Sequence, residues 1–336
     1  MQYTNLGRTG MKVSRFCLGT TNFGAYTDEK EAFRIMDVAL EHGINYFDTA
    51  NEYGGGHKGI TETMIGKWFA QGGRRKKVIL QTKSFSWMAD ADDPANETAH
   101  GLSIYKLRRN LEDSLRRLQT DHLEVYMMHH FDRGVTLEEI LDCYQAMFQQ
   151  GKIDYIASSN SSGFDLMATQ AAAAQKHYLG LVCEEHQYNL LCRLPELELL
   201  PTAQKLGLGV VAYSPLHAGM LAGPRTSSGA SRRVAKAEGM FSPNNRPTYM
   251  SALDIPARLA QYSAFCNEIG YSEPVVALAW LLSNPVLTAP IVGPRNVEQL
   301  ESLLPALELT LTEDMLRKLD EIFPGPGGAA PEAYAW

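Results

Sequence analysis

Short apolar runs alternate with longer amphipathic ones along almost the whole chain. FCLGT is followed by DEKEAFRIMDVALEHG, INYFDTA by TETMIGKWFAQ, VILQTK by LSIYKLRRNLEDSLRRLQ, and LEVYMMH by TLEEILDCYQAMFQQ. IDYIASSN then precedes FDLMATQAAAAQKHY, and LVCEEHQY precedes ELELLPTAQKLG. GVVAYSP leads through a long loop to helical sequence near 255 to 284, and LTAPIVG leads to VEQLESLL. The short runs read as buried strands, and the longer ones, apolar at three and four spacing, as helices. Eight such units with no break in composition predict one domain, residues 1 to 336, folded as an α/β TIM barrel, a closed (β/α)8, rather than a doubly wound open sheet.

Three segments fall outside that repeat. YTNLGRTGMKVS has a turn-like GRTG between two extended pieces, which predicts an N-terminal β-hairpin capping the barrel bottom. TEDMLRKLDEI, 312 to 322, predicts an extra C-terminal helix, and residues 325 to 336 a flexible or loosely docked tail. Two connections are longer than usual, one after the third barrel strand (84 to 101) and one after the seventh (217 to about 250). From 222 to 250 the second carries Arg225, Arg232, Arg233, Lys236 and Arg246 against Glu238 alone, an excess of five minus one, or four, positive charges. That loop is either a solvated surface or a phosphate-facing lid.

Composition narrows the function. With 45% hydrophobic residues in 336, the chain can bury a sizeable core. A net charge of -7 argues against a broad grip on nucleic acid or an anionic membrane. The N-terminal stretch lacks an apolar secretory core and no run is long enough to span a bilayer, so a cytoplasmic protein acting on small molecules is expected. Cys17, Cys143, Cys183, Cys192 and Cys266 form no C-x-x-C pair and read as free thiols. The helix faces suit an intramolecular core or a subunit contact equally well, which leaves the oligomeric state open.

In such a barrel, chemistry gathers where the strands end. The second strand ends at Asp48, with Tyr53 in the loop beyond; the third ends at Lys83, the fourth at His129 and His130, and the fifth at Ser159 and Asn160. A close ammonium lowers the pKa of a phenol, and a buried lysine needs a counter-charge, which Asp48 offers. His129 is placed to orient a carbonyl oxygen beside the tyrosine hydroxyl. Such a set suits protonation of an oxygen while hydride reaches carbon. The adjacent histidines do not predict a metal site, because successive strand residues point to opposite faces.

Taken in order, LGTTNFG, DTANEYGGG, QTK, YMMHHFD, GKIDYIASSN, QYNLLCR, AYSPLHAGMLAG and IVGPRNVEQL resemble the aldo-keto reductases almost end to end. The resemblance implies a catalytic tetrad of Asp48, Tyr53, Lys83 and His129, with Tyr53 as general acid in carbonyl reduction. It also implies an extended nicotinamide cofactor across the barrel mouth, NADPH with NADH possible. Gly19, Thr20, Thr21 and Asp48 would border it, Ser159 and Asn160 would hold the carboxamide, and Tyr213 would stack on the ring. Ser214, Pro215, Leu216 and Ala218 would line the pyrophosphate path. Gly293 and Arg295 would approach the adenosine phosphate, and Gln299 the adenine. Trp87 and His130 are the substrate-loop candidates.

Two departures from the family stand out. Glu185 occupies a position where a glutamine usually meets the carboxamide, and it is expected among the cofactor contacts. As a carboxylate it can accept from the carboxamide NH2 but cannot donate to its oxygen, and Gln187, two residues on along the same strand face, is the alternative for that role. Leu303 stands where an asparagine often meets the adenine. The wording of several motifs is similar to reductases of nucleotide-linked keto-deoxysugars, which implies a keto-sugar substrate; a general aryl or aliphatic aldehyde reductase is the alternative. A nicotinamide-sensing regulatory subunit with little turnover is the alternative from another class, and the complete tetrad argues against it.

Overall fold

The computed structural model describes residues 1 to 86, 88, 101 to 223, 254 to 330 and 333. Trp87, most of the loop after the third barrel strand and the basic residues of the loop after the seventh lie outside the described residues.

Two short strands, β1 (Tyr3–Asn5) and β2 (Lys12–Ser14), pair antiparallel with Tyr3 opposite Ser14. Eight parallel strands follow: β3 (Cys17–Gly19), β4 (Tyr46–Asp48), β5 (Ile79–Ser84), β6 (Leu123–Met128), β7 (Ile153–Ser159), β8 (Leu181–Gln187), β9 (Gly209–Tyr213) and β10 (Leu287–Val292). They close into a barrel in chain order, with β10 returning to β3 through Ile291 opposite Cys17 and Val292 opposite Leu18. Each of the seven intervals between successive barrel strands carries a helix that packs outside: α1 (Glu29–Glu41), α2 (Ile60–Phe69), α3 (Ile104–Leu118), α4 (Leu137–Gln149), α5 (Gly163–Gln175), α6 (Leu199–Leu206), and, in the last, the pair α7 (Ile255–Ile269) and α8 (Glu273–Ser283). After β10 come α9 (Val297–Leu303) and the extra helix α10 (Glu313–Ile322). The predicted (β/α)8 barrel, hairpin and extra helix are all present.

Local chemistry sets the helix starts. Asp28, Ser103, Thr136, Asp254, Asn296 and Thr312 each accept a backbone N–H of the first turn, and Ser162 with Asp165 forms a reciprocal capping box before α5. The strands are short and buried on both sides, as parallel barrel strands must be. Their outward residues join the helices in the main core; their inward residues form a second cluster that includes Cys17, Tyr46, Val125, Met127, Ala157, Cys183, Val211 and Ala289.

The hairpin closes the lower end of that inner cluster with Leu6 and Val13, both fully buried. A side chain at Gly7 (φ 55°) would come within 2.4 Å of the Val182 carbonyl oxygen, so only glycine lets the hairpin turn sit against the barrel. Arg8 then donates to the carbonyl oxygens of Leu206 and Leu179, at 2.6 Å each. Part of the tail is docked, since the Ala330 N–H donates to the Leu197 carbonyl at 2.8 Å.

Candidate active site

The strand period of two builds the site directly above the inner cluster. Two residues beyond Cys17, Tyr46, Ala157, Cys183 and Val211 come Gly19, Asp48, Ser159, Glu185 and Tyr213; two beyond Met127 comes His129. The mouth they surround opens into a cleft of about 750 Å³.

At its floor Lys83 is fully buried and donates to Asp48 Oδ1, to the Thr49 carbonyl at 3.1 Å and to the Tyr53 hydroxyl at 3.3 Å. Burial alone would push the ammonium down, but the attraction of Asp48, Glu185 and Tyr53 outweighs it and holds Lys83 well above the usual lysine range. Tyr53 is set by its loop. Its N–H donates to Ala50 O and its carbonyl accepts from Gly59 N–H, at 3.2 and 3.1 Å. At Gly54 (φ 129°) a Cβ would lie 2.1 Å from the Ile60 side chain and 2.4 Å from the His57 carbonyl oxygen. The loop can bring the phenol over the cleft only because that residue is glycine.

The phenol departs from one expectation. Burial pushes its pKa up, Lys83 pulls it down, and Asp48 and Glu185 push it up again; the net position is above the ordinary phenol value, not below it. One ammonium shared with two carboxyls does not outweigh desolvation, so Tyr53 stays a protonated donor at neutral pH.

His129 stands edge-on to Tyr53, ring centroids 5.9 Å apart. Its Nδ1 lies 3.0 Å from Glu52 Oε1. Burial would raise the Glu52 carboxyl, but His129 and Ser86 beside it, with Lys58 further off, bring it down to about 2. The strand argument about the two histidines needs correction. β6 ends at Met128, so His129 and His130 lie beyond the regular pleat, and their rings stack 5.3 Å apart at 13° with both lining the cleft. Burial, with His129 alongside, holds His130 below the usual histidine value. Among the described residues no group of three or more His, Cys, Asp or Glu side chains could hold a metal ion.

Gly19, Thr21, Ser159, Asn160, Tyr213 and Ser214 line the cleft, as do Pro215, Leu216 and Ala218 further along one wall. Gly293, Arg295 and Gln299 line its far end, with Leu303. Thr20 is the exception: it is buried, and both its N–H and its hydroxyl donate to the Asp48 carbonyl, at 3.1 and 2.8 Å, so it braces the acid rather than facing the cleft. Asn160, at φ 60°, donates to His129 O and accepts from the Tyr213 hydroxyl at 2.8 Å. Ser214, His217 and Ala218 have φ of 51°, 42° and 65°. Three non-glycine residues in the left-handed region within five positions are a concentration of strain of the kind kept at binding sites. Arg295 lies over the Tyr26 ring, 5.0 Å from its centroid, and its N–H donates to Gln299 Oε1 at 2.9 Å.

Glu185 lines the cleft, where the resemblance put it, and also takes part in the floor. There its Oε2 accepts from Gln81 Nε2 at 2.8 Å and lies 3.3 Å from Lys83 Nζ. Gln187, the alternative for the carboxamide role, does not line the cleft. Sequence reasoning missed Gln81, although it stands in the QTK motif two residues before Lys83 on the same strand face. It also missed Glu52, the neighbour of Tyr53, and Asn22, whose Nδ2 donates to the Gly293 carbonyl at 2.7 Å across the barrel seam. The strand period could have found Gln81; Asn22 left no comparable signal.

The profile of the Aldo/keto reductase family matches residues 15 to 323. The chain is 53% identical to the uncharacterized oxidoreductase YrpG of Bacillus subtilis (strain 168), with all of both chains covered. It is 30% identical to protein tas of Escherichia coli (strain K12), over 96% of this chain and 97% of that one, and 29% identical to the aldo-keto reductase AMT2 of Alternaria alternata, over 95% and 90%. No described helix is long and apolar enough to cross a membrane. A closed (β/α)8 barrel matched along nearly its whole length, with its acid, phenol and ammonium gathered at the strand ends, belongs to the aldo/keto reductase family of oxidoreductases.

Proposed function

We propose that this chain reduces an aldehyde or ketone to an alcohol using NADPH, with Tyr53 as the general acid. The observation that carries the reading is the chain of contacts from Asp48 through Lys83 to the Tyr53 hydroxyl at the floor of the cleft. Protein fit to an extended nicotinamide dinucleotide is favourable: a long cleft, a tyrosine ring on one wall, strained backbone at Ser214 to Ala218 and an arginine at the far end. The cofactor supplies the hydride.

The chain's own residues do the rest. The Tyr53 hydroxyl donates its proton to the substrate oxygen, and Lys83 stabilises the phenolate that forms. Asp48 holds Lys83 as an ammonium, and His129 borders the space where the substrate oxygen would lie. Ser159 and Asn160 would hold the carboxamide, with Tyr213 against the ring. The backbone from Ser214 to Ala218 would take the pyrophosphate, and Gly19 and Thr21 would border the opposite wall. Arg295 would meet a 2'-phosphate, which favours NADPH over NADH. The cleft's other occupant is a small carbonyl compound, bordered by His130.

The test compares the parent protein with Tyr53→Phe on aromatic, aliphatic and sugar carbonyls, following loss of the reduced cofactor's absorbance. Turnover should fall by about 10² to 10⁴ in the variant while cofactor binding is retained. Equal rates in the two proteins would remove Tyr53 from the role. Within this reading we favour a keto-sugar or sugar nucleotide as substrate, on the motif wording and on the basic loop's five cations as diphosphate partners. Turnover of simple aldehydes with no binding of a keto-sugar nucleotide would replace it with a general aldehyde reductase. Tight cofactor binding with no carbonyl-dependent oxidation would point to the sensing role.

A further inference from the structure

The floor of the cleft holds one acid more than its cation needs. Lys83 brings a single ammonium, while Asp48 and Glu185 bring two carboxyls, and none of the three side chains is more than 3% exposed. Gln81 ties the two acids together. Its Nε2 donates to Asp48 Oδ1 at 2.6 Å and to Glu185 Oε2 at 2.8 Å, and its Oε1 accepts from the Tyr46 hydroxyl, which fixes the amide's orientation. With both acids ionised the enclosed site would carry a net negative charge, which a low-dielectric interior penalises. Two carboxyls in one site instead ionise in separate steps, and one keeps its proton over a wide pH range.

The geometry identifies which. Gln81 donates to both acids, but Asp48 Oδ1 also accepts directly from Lys83 Nζ, whereas Glu185 Oε2 stands off at 3.3 Å from it. The proton therefore belongs to Glu185. Burial pushes its carboxyl well above the usual range and Asp48 pushes it further, against the pull of Lys83. The other groups facing this floor are the Tyr53 and Tyr46 hydroxyls and the Cys17 and Cys183 thiols; burial raises each of them first, so all four are neutral at neutral pH.

We propose that Glu185 is a proton reservoir behind Tyr53, protonated with the reduced cofactor and ionised with the oxidised one. The proposal rests on the carbonyl reduction set out above. After the Tyr53 O–H bond breaks and its proton passes to the substrate oxygen, Lys83 Nζ, 3.3 Å away, gives a proton to the phenolate. The Glu185 O–H bond then breaks and restores the ammonium across another 3.3 Å. Hydride on carbon and one proton on oxygen complete the alcohol, and the proton lost overall is that of Glu185. The floor becomes negative in the same turnover in which the nicotinamide ring is left positive, so the charge of the enclosed site is conserved. A glutamine at this position could not do this, since an amide has no proton to lend at neutral pH.

The test is calorimetric titration of NADP⁺ and of NADPH into the parent protein and Glu185→Gln, each in two buffers of different ionisation heat. Binding of NADP⁺ to the parent should release up to about one proton more than binding of NADPH, by linkage, and the difference should vanish in the variant, whose amide oxygen still accepts from Gln81. In the parent alone, the preference for NADP⁺ over NADPH should rise by up to about tenfold per pH unit across the range where Glu185 titrates; this arm stands even if the variant fails to fold. Equal proton release with the two cofactors, or an undiminished difference in the variant, overturns the reservoir while leaving carbonyl reduction intact. Binding of neither cofactor would overturn both.

Discussion

The inside of this barrel has two storeys built by the same strands. The lower is Leu6, Val13, Cys17, Tyr46, Val125, Ala157 and Cys183, almost free of charge; the upper, one strand period above it, is Asp48, Gln81, Lys83, His129 and Glu185. The lower storey follows the ordinary rule that interiors are apolar and close-packed. The upper breaks it, burying an ammonium and two carboxyls that are held by one another, by Gln81 and Tyr53, and by the Thr49 carbonyl. Stability and chemistry are thus separated by about two residues of strand, some 7 Å. The two storeys should answer differently to substitution.

The largest effect is expected in the upper storey. Lys83→Met leaves Asp48 and Glu185 buried without a cation; it should cost about 3 to 5 kcal/mol in denaturant unfolding and reduce carbonyl turnover by at least about 10². Loss of turnover with unchanged stability would show that the carboxyls are already neutral without Lys83. Next comes the lower storey: Leu6→Ala should cost about 2 to 5 kcal/mol yet leave kcat and KM within severalfold of the parent under native conditions. A large change in kcat in a well-folded sample would join the two storeys mechanically.

Two smaller effects sharpen the comparison. Arg295→Ala, at the cleft's far end, should weaken NADPH by about 1.5 to 3 kcal/mol, the range of a hydrogen bond to a charged group, and NADH far less. Equal loss for both would remove Arg295 from phosphate recognition. Glu185→Gln should change the slope of stability against pH. A carboxyl raised in the folded state stabilises fully below the ordinary glutamate value, and that contribution is lost as pH rises toward its folded value. Between those two values the parent should therefore lose up to about 1.4 kcal/mol per pH unit, and the variant should be flatter in a Tm series. Parallel curves would place the proton elsewhere.

The barrel was legible because its strands are short, apolar and separated by amphipathic helices. The capping residues Asp28, Ser103, Thr136 and Ser162, which the run of hydrophobic positions does not itself pick out, then fix where four of those helices start. The upper-storey residues were legible because strand ends are where a barrel's chemistry lies. What escaped was anything decided between strands. Glu185 reads as a cleft residue, but its contacts to Gln81 and Lys83 across the barrel leave no mark in the sequence around it. His129 and His130 read as opposite-facing until the end of β6 at Met128 frees them from the pleat. The phenol's elevated pKa depends on the sum of burial, one cation and two acids, none of which Tyr53 reveals by itself.

The seam between β3 and β10 has a consequence for how the protein is made. It joins Cys17 to Ile291, and Arg15 clasps it by donating to the carbonyls of Thr288 and Leu282 at 3.1 and 2.8 Å. A ribosome delivers the two sides of that joint in order, so during synthesis β3 waits as an unpaired edge until nearly three hundred residues have emerged. Such an edge is a template for pairing with another chain. Yield in the cell should therefore depend on chaperone supply more than the finished fold's stability suggests, and a circular permutant opened elsewhere in the barrel would move that vulnerability to a different strand.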